Sequence, residues 1–378
     1  MQWLLTCLWD LMQQMAIDRR TFLQGSLGLA GSTCLPGIVH SKSTLPLYAG
    51  ARREHDGTFS ASLFNSSGDV HRVSLPARGH DVAVRPFTQE VVVFARRPGR
   101  FAVAFSPRKK VPPISFYAKQ GRHFYGHGVF SPDGKLLYTT ENDYENGLGI
   151  IGVWDATNDY QWIGEFSTHG IGPHDLALLD GDHLVIANGG IETHPEMGRQ
   201  ILNLAEMEPS LVYINRLTGD LVEKVHLPKA LRQLSLRHLS VGKKNRVVFG
   251  CQYKGSFGDR PQLVGIHDRG KEITFIHAPD DLLPEFKNYI GSVATDSSGE
   301  VVAASSPRGN VIAFWNVQNR KFLGHQALKD GCGLAATNQP DQFLATSGEG
   351  VMARFSADQG VRLRTDQVHW DNHVTFVS

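Results

Sequence analysis

The feature that most constrains the fold is a repeat of 47 residues, in which a histidine precedes a short apolar strand. His127 follows His80 by 47 residues, and His174 follows His127 by the same distance. The copy at His127 is the most complete, because it continues through the turn Pro132–Gly134 into a second β-prone run, Leu136–Thr140. Proline presets φ at such a turn and glycine supplies a positive φ. Equal periods of this size, built from strands and turns, indicate a repeat array.

The rest of the chain fits a ring of such units. From Leu45 onward, β-prone runs alternate with turns, and no convincing long helix interrupts them. The runs divide into seven groups of about four strands, which is typical of a β-propeller. The first group lacks its innermost strand, and the final run His373–Ser378 has no partners of its own. The sequence therefore predicts an all-β fold, a seven-bladed β-propeller over residues 45–378 that the C-terminal strand closes.

Residues 1–44 have a different composition. Arg19 and Arg20 are followed by Phe22-Leu23 and then by a weakly apolar, glycine-rich run that ends near Leu35. This order is typical of a cleavable twin-arginine export signal and predicts a periplasmic protein whose partner during export is the Tat translocase. The run is too short and too rich in glycine for a stable membrane span. Met15 is the more natural initiator, so we interpret Met1–Gln14 as an over-extended start.

Charge and cysteine content exclude further classes. The chain has 38 Lys and Arg against 37 Asp and Glu, so no basic excess favours a nucleic-acid partner. Two of the four cysteines, Cys7 and Cys34, lie in the predicted export segment. Cys251 and Cys332 are too few for a disulfide framework, and their spacing leaves open whether they pair.

Ionisable side chains stand immediately before the innermost strand of several blades. Innermost strands line the channel of a propeller, so residues at their starts should meet at one channel mouth. Aligning these strands on their apolar residues gives the candidate binding residues of the mouth, which are His80, Asp81, His127, His174, Asp175, Arg237, His238 and His373.

Two roles are open for these residues. Neutral imidazole is a common metal ligand, and three histidines from adjacent blades, His80, His127 and His174, could bind a transition metal or contact a haem. Alternatively, His–Asp pairs hydrogen-bond neighbouring blades and hold them in register.

Two further polar segments are candidates. A long insertion in the fourth blade, residues 190–209, contains the candidate binding residues Glu192, His194, Glu196 and Arg199. Of these, Glu192, His194 and Glu196 could bind a cation or take part in acid–base chemistry. The alternative is a solvated loop that Leu202, Leu204 and Met207 anchor over the ring. The cluster 141–147 is interpreted as a solvated turn, because its spacing does not match a calcium loop.

Several of these stretches together resemble the domain-of-unknown-function family 1513. They are the paired-arginine segment, Gly126-His127-Gly128, Glu141–Tyr144, Gly172–Asp175, Asn188–Ile191 with Thr193–Pro195, and Ser306–Asn310. The resemblance covers about Leu45 to Ser378 and implies a propeller similar to the YVTN and quinoprotein amine dehydrogenase-like propellers. It also implies a bacterial exported protein. Genes of this family often lie near those of imelysin-type iron-regulated proteins, which implies a role in periplasmic iron handling with iron-uptake proteins as partners. The family supplies no catalytic residues.

The leading interpretation is a periplasmic propeller that binds a ligand, a metal or haem, or a partner protein. The second is a metal-dependent enzyme similar to lactonase or dehydrogenase propellers, and the third is an interaction scaffold. The sequence contains no Gly-x-Ser-x-Gly elbow, Walker loop, His-Glu-x-x-His motif or dinucleotide fingerprint.

Overall fold

A computed structural model describes residues 45–108 and 111–378 of the chain. The predicted export segment, with its arginine pair and with Cys7 and Cys34, lies outside the described residues. The described part consists of seven four-stranded antiparallel sheets and short 3₁₀ helices. None of the helices in these residues is long and apolar enough to cross a membrane.

The chain folds one blade after another. The strands, in chain order, are β1 (Tyr48–Glu54), β2 (Phe59–Asn65), β3 (Gly68–Leu75), β4 (Gly79–Val84), β5 (Val91–Ala95), β6 (Phe101–Phe105), β7 (Ile114–Tyr117), β8 (Arg122–Phe130), β9 (Leu136–Asp143), β10 (Leu148–Asp155), β11 (Gln161–Ser167), β12 (Pro173–Leu179), β13 (His183–Asn188), β14 (Ser210–Asn215), β15 (Leu221–His226), β16 (Leu234–Val241), β17 (Val247–Tyr253), β18 (Val264–His267), β19 (Thr274–Phe275), β20 (Ser292–Thr295), β21 (Val301–Ser306), β22 (Val311–Asn316), β23 (Phe322–Ala327), β24 (Gly331–Ala336), β25 (Phe343–Ser347), β26 (Val351–Phe355), β27 (Gly360–Thr365) and β28 (Val368–Phe376). The 3₁₀ helices are Pro195–Met197, Leu204–Glu206, Lys229–Leu231, Lys243–Asn245 and Leu283–Phe286.

The blades form a closed ring. Blade 1 has the strand order β28-β1-β2-β3, and blades 2 to 7 each take the next four strands along the chain. The innermost strands contact one another around the ring in the order β28, β4, β8, β12, β16, β20 and β24, and β24 contacts β28 again. These strands line the central channel, as the sequence repeat predicts. The predicted seven-bladed propeller is confirmed.

The C-terminal strand closes the ring as predicted. In β28, Phe376 lies opposite Tyr48 and Val374 lies opposite Gly50. The strand is longer than the predicted run, because it begins at Val368. Its additional residues include Trp370, whose indole packs 4.4 Å from the ring of Phe64. Pairing the two chain ends removes the open sheet edge that blade 1 would otherwise expose.

The hydrophobic core lies between successive blades. Blades 2 and 3 show the pattern: Phe116 stacks on Tyr160 at 4.8 Å between ring centroids, and Trp154 lies 4.9 Å from Phe116. The outermost strands alternate between exposed and half-buried residues, as in β11. Burial of an aromatic side chain of this kind contributes about 2–3 kcal/mol, so the interfaces between blades hold the ring together.

The two cysteines of the propeller are free thiols. Cys251 lies in blade 5 and Cys332 in blade 7, and both are buried. Burial raises the pKa of both thiols, which keeps them protonated. They act as small core residues.

Candidate functional site

Six of the seven innermost strands are irregular near their starts. A β-bulge inserts an extra residue into a strand and turns the following side chains to new directions. The register shifts against the neighbouring strand lie between Gly79 and Val82 in β4, Phe124 and Gly128 in β8, Pro173 and Asp175 in β12, Leu236 and His238 in β16, Gly331 and Leu334 in β24, and Trp370 and Val374 in β28. Histidines from five blades lie at these irregularities. Their imidazoles can therefore face the same point, although they do not occupy equivalent positions in the aligned strands.

Five imidazoles meet at this end of the channel. We call His80, His127, His174, His238 and His373 the histidine cluster. His127 lies at its centre, with ring centroids 4.8 Å from His373, 4.9 Å from His174 and 5.0 Å from His80. His238 and His373 approach to 4.8 Å from blades that are not adjacent. The cluster therefore spans the channel.

Two histidine triads within the cluster could hold a metal ion. They are His80–His127–His373 and His127–His174–His238, and in each triad the ligand atoms lie within 4.8 Å of one another. The sequence groups His80, His127 and His174 by adjacency, and the structure divides these three between the two triads. The third member of the first triad, His373, comes from the closing strand β28.

Carboxylates orient the central imidazoles. His127 Nδ1 lies 2.9 Å from Asp81 Oδ2 and 3.4 Å from Asp175 Oδ1. His80 Nδ1 lies 3.0 Å from Asp371 Oδ1. An Nδ1–H group that donates to a carboxylate leaves Nε2 as the free acceptor, which is the usual arrangement behind a metal-bound imidazole. Sequence reasoning identified Asp81 and Asp175 but missed Asp371, which lies in the part of β28 that precedes the predicted closing run.

Burial keeps most of the cluster neutral. It lowers the pKa of His80 to about 4, although Asp371 opposes the shift. It also lowers the pKa of His174, His238 and His373 well below the ordinary value. Neutral imidazole is the form that binds metals.

The pKa values of His127 and of the two carboxyl groups beside it depend strongly on one another. Burial alone would lower the pKa of His127, but Asp175 and Asp81 raise it above the ordinary value. Burial raises the pKa of Asp175 to about 6, whereas His373 and His127 hold the pKa of Asp81 below its usual range against the effect of burial. The centre of the cluster is therefore a strongly coupled group of one imidazole and two carboxyl groups.

Several buried nitrogen atoms of the site have no hydrogen-bond partner among the described residues. They are His127 Nε2, His174 Nδ1, His373 Nε2, both ring nitrogens of His238, and Arg237 Nε. A buried polar group without a partner costs about 1–3 kcal/mol. Such groups collected at one point indicate a ligand.

A cavity of about 460 Å³ opens beside the cluster, and the blade 4 insertion forms one wall of it. His194 and Arg199 line the cavity, together with His80, His174 and His238 of the cluster. Glu192 and Glu196 do not line it. The Glu196 backbone N–H instead donates to His194 Nδ1 at 3.3 Å.

The insertion is fixed by polar contacts more than by the predicted leucines. Leu202 and Leu204 are exposed, and of the three predicted anchors only Met207 is buried. Asn203 anchors the insertion instead, because its side chain accepts a hydrogen bond from the Glu192 backbone amide at 2.8 Å and donates one to the Gly190 carbonyl at 2.9 Å.

The expectation of a solvated turn at 141–147 was wrong for its first half. Strand β9 runs through Asp143, and Glu141, Asn142 and Asp143 are buried. Asn142 Nδ2 donates to the Thr193 carbonyl at 3.2 Å, so this segment supports the insertion.

Sequence reasoning missed much of the cavity lining. Arg97, Lys254 and Arg308 line it, and each lies in the loop after the second strand of its blade. The second strand runs antiparallel to the innermost one, so this loop lies at the same mouth as the start of the innermost strand. The insertion occupies the corresponding loop of blade 4. The repeat gives the position of this loop in every blade, so a search of these loops for basic residues could have identified the three cations.

Comparisons with known proteins agree with the fold. Solved structures with this architecture are numerous: 1207 chains match. One is the "Crystal Structure of Mitotic Checkpoint Complex", with a TM-score of 0.56 and 10% sequence identity over 78% of this chain and 83% of that chain. At this identity the likeness shows the propeller fold alone. No curated protein matches the sequence at a significant level.

The family comparison is more specific. The profile described as "Protein of unknown function (DUF1513)" matches residues 73–377, which include blades 2 to 7 and the whole of the closing strand β28. All five residues of the histidine cluster lie within the match. The chain is therefore a member of the DUF1513 family.

Proposed function

We propose that this propeller is a binding protein for a transition-metal ion, which the histidine cluster holds at the channel mouth. The observation that supports this proposal best is that two buried triads share His127, and that four of their five histidines have a ring nitrogen without a hydrogen-bond partner among the described residues. A purely structural role leaves those nitrogens unexplained, because only the Nδ1 side of His127 and of His80 is hydrogen-bonded to a carboxylate.

The dimensions of the triads suit a first-row ion. A tetrahedral ion with metal–nitrogen bonds of about 2.1 Å sets its ligand nitrogens about 3.4 Å apart. The ligand atoms of each triad lie within 4.8 Å of one another, so small side-chain rotations would bring them to a metal. Because both triads need His127, the cluster binds one ion at a time. Imidazole donors suit iron, zinc, copper and nickel.

Iron handling and export belong to the same proposal. The paired arginines of the sequence support export to the periplasm by the twin-arginine route, and cell fractionation tests it. The gene neighbourhood of the family that the sequence resembles supports iron as the ion and periplasmic iron-uptake proteins as partners.

Metal analysis tests the binding proposal. Protein purified from the periplasm is analysed for metal, stripped with a chelator, and titrated separately with Fe²⁺, Zn²⁺, Cu²⁺ and Ni²⁺. We expect one equivalent of ion per chain. A Soret band after incubation with haemin would instead identify haem as the ligand. Protein that retains no ion and acquires none contradicts the proposal and favours the register role of the His–Asp pairs.

Single substitutions locate the ion. His127→Gln removes the nitrogen that both triads share and should abolish stoichiometric binding, whereas His226→Gln changes an exposed histidine in β15 and should not. His80→Gln and His238→Gln each break one triad, so the variant that loses affinity identifies the triad in use. His238 has no hydrogen bond to lose, so its substitution should leave the thermal stability of the metal-free protein nearly unchanged.

A further inference from the structure

The cavity beside the histidine cluster has an unusual charge. Its lining includes six cationic side chains, Arg96, Arg97, Arg199, Arg237, Lys254 and Arg308, and contains no Asp or Glu. The whole chain is nearly neutral, with 38 basic and 37 acidic residues. The excess of positive charge is therefore local to this cavity.

These cations lack the partners that arginines have elsewhere in the propeller. Outside the cavity, Arg122 pairs with Glu165 at 2.7 Å and Arg246 pairs with Asp268 at 2.8 Å. Within it, Arg96 reaches Asp371 at 3.0 Å, and the other five form no ion pair with any described residue.

The contacts that these five do make are neutral. Arg97 donates to Thr193 Oγ1 at 3.2 Å, and Lys254 donates to Gln252 Oε1 at 3.0 Å. The guanidinium of Arg308 lies 4.2 Å from the ring centroid of Tyr289. Arg237 is only 7% exposed, and its Nε has no partner among the described residues. Neutral contacts orient these groups and leave their charge uncompensated.

Unpaired cations held this close together destabilise the protein. Burial, together with Arg237, Arg308 and Arg97, lowers the pKa of Lys254 to about 6. A buried charge without a partner is expensive, and such an arrangement in a cleft is typical of a ligand site.

We propose that the cavity binds a compact, multiply charged anion that carries two or more carboxylate or phosphate groups. Guanidinium groups bind both kinds of group through paired N–H donors, and the planar forks of Arg97, Arg237 and Arg308 come from three different blades. The volume of about 460 Å³ lies in the range of small-molecule sites. This site goes beyond the metal site, although the two share His80, His174 and His238 as lining.

Calorimetric titration of metal-stripped protein tests the proposal separately from metal binding. The probes are citrate, inorganic pyrophosphate and, as a monoanion, acetate. We expect citrate or pyrophosphate to bind saturably and at least tenfold more tightly than acetate. Whichever of the two binds more tightly shows whether the site prefers carboxylate or phosphate groups. Absence of saturable binding, or equal binding of acetate, would overturn the anion site and leave the metal proposal unaffected.

Three variants and a control assign the binding to this cavity. Arg97→Gln, Arg308→Gln and Lys254→Met should each weaken binding about tenfold or more, since a charged hydrogen bond contributes about 1.5–3 kcal/mol. Arg269→Gln, at an exposed turn, should not change it. At pH 5, where Lys254 is charged in the folded protein because its pKa is about 6, Lys254→Met should also raise the melting temperature of the anion-free protein by relieving repulsion. Unchanged affinity in all three variants would contradict the proposal.

Discussion

At the scale of single residues, Glu141 is a buried carboxyl group that the cluster and cavity do not use. Its Oε1 accepts from Thr139 Oγ1 at 2.8 Å, and Thr139 Oγ1 in turn accepts from the Trp154 indole at 2.9 Å. The other oxygen, Oε2, has no hydrogen bond among the described residues. Burial raises the pKa of Glu141 from 4.5 to about 7, against the effect of the Thr139 hydrogen bond.

This shift predicts a pH-dependent difference between the protein and its Glu141→Gln variant. A carboxyl group with a raised pKa in the folded state stabilises the fold below about pH 4.5, and this contribution is lost as the pH rises through about 7. The loss is at most roughly 3 kcal/mol. The variant cannot ionise, so its free energy of unfolding relative to the wild type should rise between pH 5 and pH 8, measured by urea unfolding.

A matched substitution provides the control for this prediction. Glu145 is exposed on the turn that follows the same strand, so Glu145→Gln should show no such rise. A difference between wild type and Glu141→Gln that stays constant with pH would mean that Glu141 ionises in the folded protein as it does in the unfolded chain.

At the scale of secondary-structure elements, the bulges decide which side chains meet. Gly126 lies within the bulge of β8 at φ 106°, a backbone conformation that favours glycine. A Cβ atom at this position would lie 2.5 Å from Cδ2 of His80. The absence of a side chain at Gly126 therefore provides the space in which the His80 imidazole lies.

The Gly126→Ala variant should lose both stability and cluster geometry. Backbone strain and the contact with His80 together should lower the free energy of unfolding by roughly 1–3 kcal/mol, measured by urea unfolding, and metal affinity should fall. Gly57→Ala is the control, because Gly57 also has a positive φ, of 86°, but an added Cβ would have no atom within 4 Å. Equal effects of the two substitutions would show that strain alone acts at Gly126.

The bulges also explain how much of the site the sequence predicts. The alignment of innermost strands identifies all five histidines of the cluster, because each precedes an apolar strand residue that must face the core. It does not predict that His127 contacts both His373 and His238, since that depends on the register of each strand with its neighbour. Register depends on how two strands pair, which the sequence of one strand does not give. A single extra residue in a strand reverses the side to which the following side chains point.

At the scale of the whole molecule, the repeat predicts the architecture because every blade carries the same period. Strand ends were predicted within a few residues, as at β9, expected over Leu136–Thr140 and observed over Leu136–Asp143. The cavity was not predicted, because Arg97, Lys254 and Arg308 are far apart in sequence and meet only once seven blades close into a ring. Closure therefore creates the anion cavity as well as the fold.

This dependence predicts that a chain without Val374–Ser378 loses the ring. The deletion removes the pairs of Val374, Thr375 and Phe376 with β1, the hydrogen bond from Leu47 N to Ser378 O at 2.7 Å, and the buried Val374 side chain. We expect the free energy of unfolding to fall by roughly 5 kcal/mol or more. Each lost hydrogen bond contributes about 1 kcal/mol, and the newly open interface between blades 1 and 7 contributes more. Calorimetry should show a lower and broader thermal transition.

The control separates backbone pairing from side-chain loss. Phe376→Ala keeps the whole of β28, and because the Phe376 side chain is 37% exposed and contacts Tyr48 at the edge of the sheet, it should cost only about 1 kcal/mol. Since His373 lies at the new C-terminus of the shortened chain, its imidazole would no longer be held against His127. Loss of cooperative melting should therefore be accompanied by loss of metal binding. A shortened chain that melts as sharply as the wild type would show that the other blades hold the ring without the closing strand.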